Sequence, residues 1–258
     1  MIKGVLFDMD NTLIDWHGFD GNWFEMEREH LGKVLNFLET AGRPLEASLD
    51  DFAQTYTELT RDAWATARST LRAPHMGKLL MQALAHYGFE PDETVRAADC
   101  IKAYDWKPAS GVALFPDVIE GLDAILERGL KIGIVTNASQ PMHLRDIELE
   151  AFGLLNYFPD ATCRISAADV GYLKPNVKIF EYALQQLGTT AQETIYVGDN
   201  PVADIAGAQA AGLRAVLRIN RETPPLISGL IVPDAAINSF TELLPLLDNW
   251  DAHVTQEK

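Results

Sequence analysis

Cysteine is nearly absent from this chain of 258 residues: Cys100 and Cys163 are the whole supply. They stand too far apart in sequence for a metal knuckle or a vicinal redox pair, so both read as free thiols of a reducing cytoplasm. Positive charge is also short, since 21 Lys and Arg against 37 Asp and Glu leave a formal net charge of −16. No basic run offsets it locally, which argues against nucleic acid and anionic membrane surfaces as partners. A small anion is still admissible, because one lysine and a bound cation can reverse the potential inside a narrow cleft. Long apolar runs are missing as well. The opening stretch Met1–Phe7 is cut off by Asp8, too early for a signal peptide, and no later segment is long enough to span a bilayer. Internal repeats and low-complexity tracts are likewise absent.

What is present is an ordinary globular balance of 47% hydrophobic and 22% charged residues. Val5-Leu6-Phe7 reads as a buried strand that delivers Asp8 at its carboxyl end. From about Trp23 to Tyr104 the period becomes helical, with Leu31, Leu35 and Leu38 on one face and Leu79, Leu80, Ala83 and Leu84 on another. Ser48-Leu49-Asp50-Asp51 resembles a helix start, and glycine-proline punctuation falls at 42–44 and 88–91. Residues 106–111 read as a linker.

Strands and helices then alternate. Helix is expected at 118–128, strand at 130–135, helix at 141–151, strand at 161–165, helix at 176–187, strand at 194–197, helix at 201–211 and strand at 215–217. Residues 249–258 read as a frayed polar tail. The expected fold is α/β, a doubly wound, Rossmann-like parallel sheet formed by 1–15 and 108–258, with an all-helical cap over 16–107 inserted after the first strand.

In such a sheet, ligands lie beyond the carboxyl ends of the strands. Strand one ends in Asp8-Met9-Asp10-Asn11-Thr12, a later one in Thr136-Asn137, another in Gly198-Asp199, and Lys174-Pro175 precedes a helix. Asp8, Asp10 and Asp199 brought together would repel one another unless a divalent cation neutralised them, and an all-oxygen set suits magnesium. Asp8, first after its strand, is placed to attack phosphorus as a nucleophile. Asp10, two residues on, can reach the leaving group as general acid and then general base. Thr136 can offer its hydroxyl to a phosphoryl oxygen and Lys174 a fixed positive charge. Gly198 allows close backbone approach beside Asp199, and Asp204 is placed to hold the metal's waters or to orient Lys174.

These residues resemble the haloacid dehalogenase-like hydrolase superfamily. Its motifs are similar to 5–13, 134–137, Lys174-Pro175, and Gly198-Asp199 with Asp204, spanning Phe7 to Gly212. The resemblance implies Asp8 as nucleophile, Asp10 as acid/base, phosphate contacts at Thr136 and Lys174 with Asn137 beside them, and magnesium on Asp8, the Asp10 carbonyl and Asp199. It also implies that the helical cap sets substrate choice, with 115–118 marking the return to the core. Carbon–halogen dehalogenases of the family lack a carboxylate at the position of Asp10, so its presence here implies phosphotransfer.

The expected activity is therefore a magnesium-dependent, cytoplasmic phosphatase of a small phosphorylated metabolite, acting through an aspartyl-phosphate. A sugar phosphomutase shares the same residues and stands as the alternative. A receiver-type phosphoryl switch also clusters aspartates with a threonine and a lysine, but it is about half this length and carries its aspartate after a central strand. A silent binding protein on the same scaffold would not need every carboxylate. Trp16, His17, Asp20, Trp23, Arg28 and His75 are the candidates to face the cleft, and the aromatic run before the first cap helix points to a partly apolar leaving group.

Overall fold

A computed structural model describes residues 1–220 and 230–256. In chain order its elements are β1 (Gly4–Phe7), β2 (Ile14–Asp15), α1 (Trp23–Thr40), α2 (Leu49–Thr70), α3 (Met76–His86), α4 (Ala97–Ala103), β3 (Ala113–Leu114) and α5 (Val118–Glu127). There follow β4 (Lys131–Thr136), α6 (Met142–Ala151), β5 (Arg164–Ser166), α7 (Ala167–Val170), α8 (Val177–Leu187), β6 (Thr194–Gly198), a π-helical turn (Pro201–Ala206), α9 (Gly207–Ala210), β7 (Arg214–Arg218), β8 (Ala235–Ile237) and α10 (Leu243–Gln256).

Among the described residues the main sheet has six strands in the order β5-β4-β1-β6-β7-β8, and every pair in it is parallel. The four residues of β1 are all buried, as a strand covered on both faces requires. Alternate side chains feed two cores. Val5 and Phe7 join Ile134, Val197 and Phe240 on one face, while Leu6 joins Val135, Tyr196 and Phe180 on the other. Helices α5 and α10 cover the first face, and α8 and α9 the second. The chain runs from β1 out to β4 and β5, then returns to β6 on the opposite side of β1. That reversal opens a crevice at the carboxyl end of β1.

Helices α1 to α4 lie between β2 and β3 and have a core of their own. Leu31, Leu38, Leu80 and Leu84 are fully buried in it, each contributing about 1.5–3 kcal/mol of burial. Asn22 Oδ1 accepts from Phe24 N at 2.9 Å to start α1, and Ser48 Oγ accepts from Asp51 N at 3.1 Å to start α2. Two acidic residues in the first turn of α2 favour its amino end. Leu144 of α6 joins this core, so the helical insert rests on the sheet unit there.

The two chain segments that lead into and out of the insert are fastened together. β2 and β3 pair antiparallel, Ile14 opposite Leu114 and Asp15 opposite Ala113. Just outside them two backbones touch: a Cβ on Gly18 would lie 2.2 Å from the Gly111 carbonyl oxygen, and one on Gly111 would lie 2.0 Å from that of Gly18. Gly111 also has φ +83°, so both demands are met by glycine.

Several expectations need correction. Residues 161–165 begin as a single 3₁₀ turn, and the strand starts only at Arg164. The helix expected at 201–211 opens with a π turn. The supposed linker starts with a buried residue, Trp106, which belongs to the core of the insert. Residues 249–256 are not frayed but continue α10, while 257 and 258 lie outside the described residues. This helix is tied down because Leu247 is buried, Arg214 stacks on Trp250 at 5.2 Å and Ile2 N donates to Asp251 Oδ1 at 2.8 Å. Among the described residues no helix is long and apolar enough to cross a membrane.

Candidate active site

Phe7 is in register with Ile134 on one side and Val197 on the other, so the next residue, Asp8, emerges between β4 and β6. Its N–H still donates to Val197 O at 2.9 Å. The chain then turns back on itself. Asn11 takes the left-handed conformation at φ 59°, which asparagine tolerates better than most side chains. Its N–H reaches Ile14 O at 2.7 Å, and Leu13 and Ile14 both donate to Met9 O. This turn buries Asp8 and leaves the side chain of Asp10 34% exposed toward a cleft.

Lys174 is fully surrounded. Its Nζ donates to Asp8 Oδ1 at 2.6 Å, to Asp204 Oδ1 at 2.6 Å and to the Tyr196 hydroxyl at 2.9 Å. Asn137 holds it from behind: its Oδ1 accepts from Lys174 N at 2.7 Å and its Nδ2 donates to Lys174 O at 3.0 Å. The side-chain amide of Asn137 is thus engaged with backbone. Asp204 is further fixed by Asn200 N, which donates to its Oδ2 at 2.9 Å. A Cβ on Gly198 would sit 2.4 Å from Asp204 Cγ, so glycine is what lets that carboxylate come in. The close approach expected at Gly198 is therefore to Asp204, and the wide π turn sets the approach.

Asp8, Asp199 and Asp204 offer one oxygen each within 4.8 Å of one another. Burial pushes the Asp8 carboxyl above its usual range; Lys174 pulls the other way, while Asp204, Asp199 and Asp10 add repulsion. Burial and Asp204 likewise raise Asp199 to about 6. Lys174 is held in its charged form, because Asp204 and Asp8 outweigh the cost of its burial. Three carboxylates facing one ammonium leave a local excess of negative charge, with oxygen donors and no histidine or cysteine among them. That donor set fits a hard divalent cation.

Asp10 belongs to a second cluster. Its Oδ1 accepts from Trp16 Nε1 at 2.8 Å and from Arg145 Nη2 at 2.5 Å, and its Oδ2 accepts from Thr136 Oγ1 at 3.2 Å. Behind it the Arg145 guanidinium lies 2.9 Å from Glu148 Oε2, although that nitrogen and oxygen are not aligned as a hydrogen bond. Both residues are buried. Burial raises the Glu148 carboxyl to about 7, against the pull of Arg145.

The cleft at Asp10 encloses about 540 Å³ and runs between the insert and the segment 137–140. Of the six residues expected to face it, Trp16 and Trp23 do. His17 and Asp20 are not among its lining, Arg28 pairs with Asp50 at 2.7 Å, and His75 caps α3 by accepting from Lys78 N. Sequence reasoning passed over Arg145, Glu148, Tyr196, Phe19 and Trp64. Arg145 and Glu148 sit three apart on α6, a spacing that normally marks a solvated ion pair, and Tyr196 reads as one more apolar strand residue. Only the run of aromatics around α1 signalled the cleft wall.

The chain is 29% identical over 221 residues to the glyceraldehyde 3-phosphate phosphatase of Methanopyrus kandleri, covering 86% of this chain and 85% of the other. It is 30% identical over 222 residues to the ribulose-1,5-bisphosphate 5-phosphatase of Halopiger xanaduensis, covering 84% of each. Among solved structures, a 2-haloacid dehalogenase from Pseudomonas syringae pv. tomato is similar with a TM-score of 0.63 and 26% identity, across 97% of this chain and 100% of that one. The family model of haloacid dehalogenase-like hydrolases matches residues 2–212, which takes in Asp8, Asp10, Thr136, Lys174, Asp199 and Asp204: the chain belongs to the haloacid dehalogenase-like hydrolase family.

Proposed function

We propose that this protein is a magnesium-dependent phosphatase of a small phosphorylated metabolite and that Asp8 carries the phosphoryl group between two half-reactions. The observation that carries the reading is the pairing of two unlike carboxylates at the end of β1. Asp8 is buried against Lys174 and two further aspartates, while Asp10 opens onto the cleft. A halide leaves carbon without a proton, so a dehalogenase has no use for the second carboxylate; an alkoxide leaving phosphorus does.

In the first half-reaction an Asp8 oxygen attacks phosphorus, the bond from phosphorus to the leaving oxygen breaks, and Asp10 gives that oxygen its proton. In the second, Asp10 takes a proton from water as the water oxygen attacks phosphorus, and the Asp8 carboxylate departs. Trp16, Arg145 and Thr136 all donate to Asp10 as it stands, which suits the base of the second step; to act as acid it can carry the proton on Oδ2, where Thr136 must turn its hydroxyl away, while Oδ1 keeps Trp16 and Arg145. Lys174 balances charge on the transferring group. Asp8, Asp199 and the Asp10 carbonyl would hold the cation, and Asp204 would orient Lys174. When bound, magnesium supplies neutralisation of the carboxylates and of the phosphate oxygens. Helices α1 to α4, over 16–107, serve as a cap that keeps bulk water from the cleft. Water as acceptor, rather than a second position on a sugar, accords with a family of hydrolases.

Asp8→Asn tests the reading: turnover with magnesium should fall below detection while the circular dichroism spectrum stays that of the wild type. Full activity in the variant rules out Asp8 as nucleophile, and conversion of a sugar phosphate into an isomer without phosphate release makes the protein a mutase.

A further inference from the structure

We propose, on the basis of the phosphatase reading, that the leaving group this cleft accepts carries an uncharged planar ring. Trp16, Phe19, Trp23, Trp64 and Trp106 all line it. Three of them form one surface: Trp16 stacks on Trp23 at 5.2 Å, Phe19 lies edge-on to Trp16 at 5.9 Å, and Phe19 meets Trp23 at 4.6 Å. This surface begins at the reaction centre, because the Trp16 indole donates to Asp10. Whatever oxygen Asp10 protonates must lie there, and the group attached to it must run along these rings.

Core packing accounts for Trp106, and in part for Trp16 and Trp64, but not for Trp23. Trp23 is 54% exposed at the first residue of α1, a position where a large apolar ring gains little from the fold. Charge points the same way. Among the described lining residues Arg145 is the one cation, and its charge is already shared by Asp10 and Glu148. Among the described residues the cleft therefore offers no further cation for a carboxylate or a second phosphate on the leaving group, while its aromatic faces favour stacking. A volume of about 540 Å³ falls within the usual span for sites that take a ring-bearing metabolite, about 300–1,000 Å³.

The test compares substrates whose reacting bond is the same. Ribose 5-phosphate, uridine 5′-monophosphate and adenosine 5′-monophosphate all release a primary alkoxide, so differences in kcat/KM report what the rest of the leaving group touches. The better nucleotide should exceed ribose 5-phosphate by about tenfold or more, the scale of one base stacked on an aromatic side chain. 2-Phosphoglycolate, with its extra carboxylate, should fall below ribose 5-phosphate. Trp23→Ala should bring the nucleotide-to-sugar ratio toward one, and Trp23→Phe should keep most of it. A wild-type ratio near one, or phosphoglycolate as the best substrate, overturns the inference while leaving the phosphatase reading intact.

If no phosphate is released from any of these or from p-nitrophenyl phosphate, the phosphatase reading fails and binding decides this one. Uridine or adenosine should then quench the intrinsic fluorescence of the wild type, four of whose five tryptophans line the cleft, and should quench Trp23→Ala less. No quenching by either nucleoside sinks the inference.

Discussion

Replacing Glu148 by glutamine removes a group whose burial should make the fold weaker as pH rises. The Glu148 carboxyl is raised from its usual 4.5 to about 7 by burial, with Arg145 opposing and Asp10 adding repulsion. Below about pH 4.5 it is protonated in both the folded and the unfolded chain and has no pH-dependent effect. Between there and about pH 7 the unfolded chain loses this proton while the folded one keeps it, so stability declines across that window. Each tenfold change in the acid constant is worth about 1.4 kcal/mol, which puts the full loss at roughly 3 kcal/mol above about pH 7. Glu148→Gln has no such proton to lose.

The quantity to measure is the difference in urea-unfolding free energy between variant and wild type, taken at intervals from about pH 4.5 to about pH 8. Groups shared by both proteins cancel in it. The variant should gain on the wild type by about 3 kcal/mol across the window, and most of the gain should come between pH 5 and 7. Curves that stay parallel would show that Glu148 titrates as an ordinary carboxylate, and that Arg145 neutralises it fully inside the fold. The same proton bears on chemistry: with Glu148 neutral, Arg145 turns more of its charge on Asp10.

Asp10→Asn should slow alkyl phosphates far more than p-nitrophenyl phosphate, whose phenolate leaves with little help; equal losses on both at saturating magnesium would mean a structural role instead. Lys174→Met leaves Asp8 and Asp204 facing each other without the ammonium between them, and should cost about 3–5 kcal/mol near pH 7 in the absence of divalent cation. Because burial raises the Asp8 carboxyl, protons can replace the lost ammonium there, so the cost should be smaller near pH 5; a cost equal at both values refutes this. Gly198→Ala drives a methyl group to 2.4 Å from Asp204 Cγ and should cost about 1–3 kcal/mol with a loss of activity, read by thermal unfolding and phosphate release.

How much of this was legible depended on whether a residue's job is local. Asp8, Thr136 and Asp199 announce themselves because each stands at the end of a short apolar run, and a parallel sheet brings such ends together whatever the details. The helix start at Ser48 follows from its capping sequence, and the burial of Leu31, Leu80 and Leu84 from periodicity, in the same local way. Arg145 and Glu148 were illegible because burial turned an i,i+3 pair that sequence reads as solvated into a support for Asp10. Tyr196 was hidden for a similar reason: alternation predicts which face it takes, but not that its hydroxyl meets Lys174. The tail after Asn249 was misread because polar composition resembles fraying, whereas the contacts of Trp250 and Asp251 that hold it are made with residues far away in sequence.

The antiparallel pairing of Ile14–Asp15 with Ala113–Leu114 has a consequence for how this molecule can be rebuilt. Paired strand residues sit only about 5 Å apart, so at this junction the sheet unit meets the insert as it would a hairpin turn. Further contacts lie at Leu144 and where Leu71, Ala73 and Met76 pair through backbone with Leu173, Gly171 and Ser139. Any segment whose two ends lie that close can be grafted at this junction without moving β1. Length matters little, since each doubling of a flexible loop adds only about 0.6 kcal/mol of closure entropy. Helices α1 to α4 are in this sense an interchangeable attachment. A chimera that keeps the β2–β3 pair and takes its intervening segment from a relative should retain Asp8 and its partners and exchange the aromatic wall for another, so that specificity travels as a cassette.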